Sequence, residues 1–171
     1  MMINTQKSAQ KRFFFWLMIA VLVIVFDQAS KQIVLSHLAY GESVRVTDFF
    51  DLVLLYNPGA AFSFLASHSG WQRWFFIVLA LVVSAWLLAL VHKHRAETLQ
   101  PLAFSLVVGG ALGNVIDRFQ IGAVVDFLYF HLGVHGWPAF NLADSAICLG
   151  VGLMILSQLR EGRAAKKAMA P

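Results

Sequence analysis

Four long apolar stretches separated by polar breaks organise the chain. The first covers residues 13–26 and resumes at Ile33, Val34 and Leu35. The second, residues 74–91, is interrupted only by Ser84. The third, 99–116, holds Gln100, Ser105 and Asn114; the fourth, 142–159, holds Asp144, Ser145, Ser157 and Gln158. A bilayer crossing needs about 20 mainly apolar residues. With interfacial flanks, each stretch predicts a transmembrane helix, over residues 13–33, 71–91, 99–117 and 141–159. The first also has the outline of a signal peptide, with Lys7, Lys11 and Arg12 ahead of an apolar run. No small-x-small cleavage site follows, and Asp27, Gln28 and Lys31 come at once, so a retained helix is expected.

The segments between the helices carry other patterns. In the loop over residues 36–70, positions 44–46 and 49–56 are rich in β-formers, punctuated by Gly41, Thr47–Asp48 and Asn57–Pro58–Gly59. This predicts a small sheet of short strands lying on the membrane surface. The loop over residues 118–140 holds Phe127, Tyr129, Phe130, Trp137 and Phe140. Aromatic rings favour the membrane–water boundary, so a short interfacial helix is expected there. The fold class is thus a membrane all-α core of four transmembrane helices with a small extracytoplasmic β-sheet and a short interfacial helix, one domain over residues 1–171. The tail after Arg160 is expected to fray.

Composition strengthens this picture. Hydrophobic residues make up 59% of the 171 and charged residues only 13%, about half the soluble norm of roughly 25%. Mean hydropathy is +0.71. A soluble globule and a disordered chain are excluded. The single cysteine, Cys148, excludes a disulfide framework and a Cys-based zinc or iron–sulfur site. Charge sets the orientation. With four spans, both termini and the 92–98 loop share a side carrying nine Lys and Arg against Glu97 and Glu161. The other side has four, Lys31, Arg45, Arg73 and Arg118, against seven acids. Both termini are therefore expected in the cytoplasm. The pI near 9.5 then reflects the cytoplasmic rim and calls for no nucleic acid.

Candidate chemistry follows from depth. Span centres are nearly free of ionisable groups, whereas Asp27, Lys31, Asn114, Asp117, Arg118, Asp126, Asn141 and Asp144 all fall near the outer ends. Ionisable groups in spans are costly and usually mark function. Each also has a structural reading. Asp27 and Lys31 have the spacing of a helix ion pair. Asn141 and Asp144 have that of an N-cap and its N3 partner. Asn114 and Arg118 could bond loop carbonyls. Gly109 and Gly113 suit close helix packing, and Cys148 suits a small packing position. The six histidines lack ligand-spaced partners, so no metal is expected, and no G-x-S-x-G nucleophile motif exists. There remain Asp126 and Asp144. Two carboxylates near each other in a low-dielectric site cannot both ionise easily, so one can act as base while the other keeps its proton. A proton-relay transporter or a structural subunit remain the rival readings; the first predicts charges at the midplane, where there are almost none.

Five strings occur in order: D-Q-A-S-K at 27–31, Y-N-P-G-A-A-F-S at 56–63, G-G-A-L-G-N-V-I-D-R at 109–118, V-V-D-F at 124–127 and F-N-L-A-D-S at 140–145. Together they resemble the motif set of the lipoprotein signal peptidase (signal peptidase II) family, from about residue 13 to 159. The resemblance implies a bacterial inner-membrane aspartic endopeptidase without a cofactor. Such an enzyme removes signal peptides from diacylglyceryl-modified prolipoproteins, cleaving just before the lipidated Cys. It implies Asp126 and Asp144 as the catalytic pair. Asn57, Gly59, Asn114, Arg118 and Asn141 would line the site, Asp27 and Lys31 would support it, and the outer sheet would form a cradle over it. Prolipoprotein, membrane lipid and the cyclic peptide globomycin are the implied partners, and a monomer is the default.

Overall fold

The computed structural model describes residues 2–59 and 70–168, with side chains over 9–59 and 70–162. Residues 60–69, including Ser63, His68 and the second half of the Y-N-P-G-A-A-F-S motif, lie outside the described residues. Helices α1 (Met2–His37), α2 (Trp71–Lys93), α3 (Leu99–Gln120) and α4 (Leu142–Ala168) each contain a segment long and apolar enough to cross a membrane. α4 does not fray after Arg160 but runs on to Ala168. The residues there, among them Glu161, Ala164, Ala165 and Lys166, are good helix formers. Glu161 also accepts hydrogen bonds from Ser157 Oγ at 3.0 Å and from Gln100 on α3.

α3 is the central helix. Of its apolar window 61% is buried, against 17–22% for the other three, whose exposed faces are left for lipid. Its small residues permit this. A Cβ on Gly110 would run into the carbonyl oxygen of Ala143 on α4, and one on Gly113 would lie 2.6 Å from Asp27 Oδ2 on α1. Helices can approach this closely only where side chains are absent. At the end away from the sheet, Trp16, Leu87, Val91, Phe104 and Val108 close a core of α1, α2 and α3.

Four antiparallel strands form a sheet at the other end, in the order β1 (Ser43–Thr47), β2 (Phe50–Asn57), β3 (Val124–Leu132) and β4 (His135–Gly136). Two of these come from the segment for which an interfacial helix was expected. The physical reason is the string V-V-D-F-L-Y-F-H-L, rich in β-branched and aromatic residues that suit a pleated surface. Its partner, β2, lies far away in sequence, so local pattern alone does not reveal the pairing. Along β3 the side chains alternate: Val125 and Phe127 join Val34 and Leu54 in a core beneath the sheet, while Val124 and Asp126 face a cavity. A bulge between Leu52 and Leu55, opposite Leu128 and Asp126, places two β2 residues against one of β3. Both Val53 and Leu54 are thereby buried.

Candidate active site

The polar residues of α1, α3 and the sheet end converge on one network. Lys31 is only 1% exposed, yet its ammonium has three oxygen partners, two by hydrogen bond and one as an ion pair. Nζ lies 2.8 Å from Asp27 Oδ2, 2.7 Å from Asp117 Oδ2 and 2.9 Å from Asn114 Oδ1. A buried cation needs this degree of pairing to offset its lost hydration. Asp27 uses its other oxygen, Oδ1, to accept the Ala143 N–H at 2.9 Å. The first turn of α4 is thus tied to α1 through a carboxylate at its positive end. Asp117 Oδ2 also accepts the Val125 N–H at 3.1 Å, and its Oδ1 accepts Gln28 Nε2 at 2.8 Å. One carboxylate therefore fixes the residue before Asp126.

Three asparagines connect this frame to Asp126 and Asp144. Each has its amide orientation set by a donor to its oxygen, leaving the NH₂ for a carboxylate. Asn57 Oδ1 accepts the Gly59 N–H at 3.1 Å, and its Nδ2 donates to Asp126 Oδ2 at 3.1 Å. Asn114 Oδ1 accepts from Lys31, and its Nδ2 donates to Asp144 Oδ1 at 2.8 Å. Asn141 Oδ1 accepts the Asp144 N–H at 2.9 Å, and its Nδ2 donates to Asp126 Oδ1 at 2.8 Å. The Asn141 N–H in turn donates to Asp144 Oδ2 at 3.3 Å, which completes a capping box at the start of α4. Asp144 thus serves the helix cap with its backbone N–H and Oδ2 and meets Asn114 with Oδ1.

Both carboxylates open on a cavity of about 1050 Å³, lined also by Asn57, Gly59, Asn114 and Arg118. Burial, reinforced by the neighbouring Asp144 charge, pushes the Asp126 carboxyl up to about 7, against the hydrogen bonds from Asn57 and Asn141. Arg118 donates from Nη2 to the Gly59 carbonyl at 3.0 Å, and its guanidinium lies 5.1 Å from the Phe76 ring centre. It holds the N-P-G turn, a loop-carbonyl role of the kind expected. Asn114 instead bridges Lys31 to Asp144. Of the expected residues, Asp126, Asp144, Asn57, Gly59, Asn114 and Arg118 line the cavity. Asn141, Asp27 and Lys31 lie behind it and are fully or almost fully buried. Asp117, expected on the polar plane but not among the site residues, joins the network, as does Gln28. Their signal was available, since one adjoins Asp27 and the other sits three residues after Asn114 on the same polar plane. Among the described residues, no group of three or more His, Cys, Asp or Glu side chains could hold a metal ion.

Four apolar helices around two asparagine-held carboxylates, Asp126 buried and Asp144 half-buried, that face a large cavity place the chain in the class of membrane proteins with a polar site at one end of the bundle. Comparison with known proteins specifies it further. The sequence profile described as Signal peptidase (SPase) II matches residues 19–160. A lipoprotein signal peptidase from Azoarcus sp. (strain BH72) is 66% identical over 148 residues, covering 86% of this chain and 84% of the relative. One from Cupriavidus necator is 50% identical over 160 residues, covering 94% and 91%. A solved structure described as a bacterial membrane enzyme determined by the in meso method at 2.3 Å resolution superposes with a TM-score of 0.78. It shares 34% identity and covers 86% of this chain and 89% of that one. The chain belongs to the signal peptidase II family, whose members are proteases.

Proposed function

We propose that this chain is a membrane aspartic endopeptidase that removes signal peptides from diacylglyceryl-modified prolipoproteins, cutting just before the lipidated Cys. The observation that carries this reading is the pair Asp126 and Asp144, held on one cavity wall by Asn57, Asn114 and Asn141. Asp126, with its carboxyl near 7, keeps the shared proton and donates a hydrogen bond to the scissile carbonyl. Asp144, ionised, takes a proton from a water held between them, and the resulting hydroxide adds to the carbonyl carbon. The tetrahedral intermediate collapses as the C–N bond breaks, and the departing amine of the Cys receives the proton from Asp144. Asp126 passes its proton to the carbonyl oxygen as the hydroxide adds, and the resulting hydroxyl returns it as the carbonyl re-forms, so the pair ends as it began. Asn57 and Arg118 hold the N-P-G turn over the cavity and offer donors to an extended peptide.

The charge asymmetry supports cytoplasmic termini and a site at the opposite, outer face of a bacterial inner membrane. Two acyl chains, each CH₂ contributing about 0.8 kcal/mol, keep the substrate in the bilayer, so it meets the cavity from the side. Membrane lipid and a globomycin-type cyclic peptide are the other expected occupants. The test is purified protein in detergent with a diacylglyceryl-modified prolipoprotein, and mass spectrometry of the products. A mature chain starting at the modified Cys, with turnover falling by an order of magnitude or more without the lipid, is expected. Equal turnover of the unmodified precursor, or a cut elsewhere, would overturn the assignment.

A further inference from the structure

Charge is distributed unevenly across the sheet. Glu42, Arg45 and Asp48 flank or lie in β1 and are exposed. From Phe127 to Ala143, seventeen consecutive residues that include most of β3 and all of β4, the sequence has no Asp, Glu, Lys or Arg. Within this stretch the tip between β3 and β4 presents apolar side chains outward: Leu132 is 79% exposed, Val134 95% and Trp137 62%. Phe49 and Phe130 join Leu132 and Trp137 around a shallow groove of about 470 Å³. Contiguous exposed apolar surface of this kind marks a contact with lipid or protein.

The connection to the membrane span favours lipid. Trp137 lines both this groove and the large cavity, and the cavity wall beyond it is Ile147 and Cys148 of α4. Both belong to the membrane-crossing part of that helix. Apolar surface therefore continues from the α4 span through Trp137 to Leu132, while the opposite edge of the sheet interleaves Glu42, Arg45 and Asp48 with Val44 and Val46. Tryptophan at such a boundary is where amphipathic rings settle.

We propose that the β3–β4 tip is embedded in the bilayer interface, with Leu132, Val134 and the aromatic groove taking phospholipid acyl chains, so that the sheet is tethered at its β4 edge and free at its β1 edge. This placement is independent of the peptidase reading, and the readout below uses no cleavage. In a Cys148→Ala background, Val134→Cys or Arg45→Cys is labelled with an environment-sensitive fluorophore. The protein is then reconstituted into phosphatidylcholine and phosphatidylglycerol vesicles. Quenching by phosphatidylcholine carrying a doxyl group near the headgroup end of its chain is compared with quenching by iodide on both sides. At Val134 the doxyl lipid should quench strongly, with an iodide quenching constant severalfold below that at Arg45, where the preference should reverse. A Leu132→Cys label should behave as the Val134 label. Iodide quenching at the tip equal to that at Arg45 would overturn the proposal. So would protection from both quenchers, which would mean that protein covers the tip.

Discussion

At the scale of single residues, the site depends on amide orientation. Asn57, Asn114 and Asn141 are useful because something else occupies their oxygens, so that only N–H groups face the carboxylates. The Asn57 bond favours the ionised form of Asp126, and burial opposes it. Cleavage that needs Asp126 protonated should therefore decline as pH rises through about 7. Removing the donor with Asn57→Ala takes away an interaction that lowers the Asp126 pKa, so the alkaline limb of the pH–rate profile should move upward. An unmoved or lowered limb would mean that Asp126 is not the proton-bearing partner. Lys31 is the second pivot. Lys31→Met leaves Asp27 and Asp117 buried without their cation and should cost about 3–5 kcal/mol of stability. Thermal unfolding in detergent reads this directly, and Asp117→Asn in the same chain should recover part of it. A loss under about 1 kcal/mol, the range of exposed pairs, would contradict the burial argument.

At the scale of elements, the close approach of α1, α3 and α4 positions these side chains. A methyl group at Gly113 would meet the Asp27 carboxylate at 2.6 Å, and Asp27 holds both Lys31 and the first turn of α4. Gly113→Ala should destabilise by roughly 1–3 kcal/mol, as overpacking does. Gly152→Ala in α4, where nothing lies within 4 Å, should stabilise by up to about 1 kcal/mol by reducing backbone freedom. Equal effects at the two sites would refute the packing account. The helices were legible because lipid imposes a long apolar run on each. The polar plane was legible because its residues, such as Asn114 and Asp144, interrupt those runs. The strand β3 was not, because Phe127, Tyr129 and Phe130 suit an interface as well as a sheet. Its pairing with β2 is a long-range event that closes over α2 and α3. The roles of Gln28 and Asp117 were not legible for the same reason: their partners come from other elements, and only the assembled bundle brings Val125 N–H to Asp117.

At the scale of the whole molecule, the chain separates two tasks. The far end of the bundle is an apolar core of α1, α2 and α3. The sheet end is a polar network of residues from α1, α3, α4 and two strands, enclosed between lipid-facing surface and a small sheet. Six charged residues, Asp27, Lys31, Asp117, Arg118, Asp126 and Asp144, meet where helix ends, turn and strand come together, and on the proposed function the apolar majority brings a lipid-anchored substrate to them. The claim that Asp126 and Asp144 perform the chemistry is tested most directly by measuring cleavage of a diacylglyceryl-modified prolipoprotein by Asp126→Asn and Asp144→Asn. Each should keep the fold, as seen by gel filtration and thermal unfolding, while losing activity by about 10²–10⁴-fold or more, the usual contribution of a positioned acid or base. A folded variant of either kind that retains near wild-type cleavage would contradict the account.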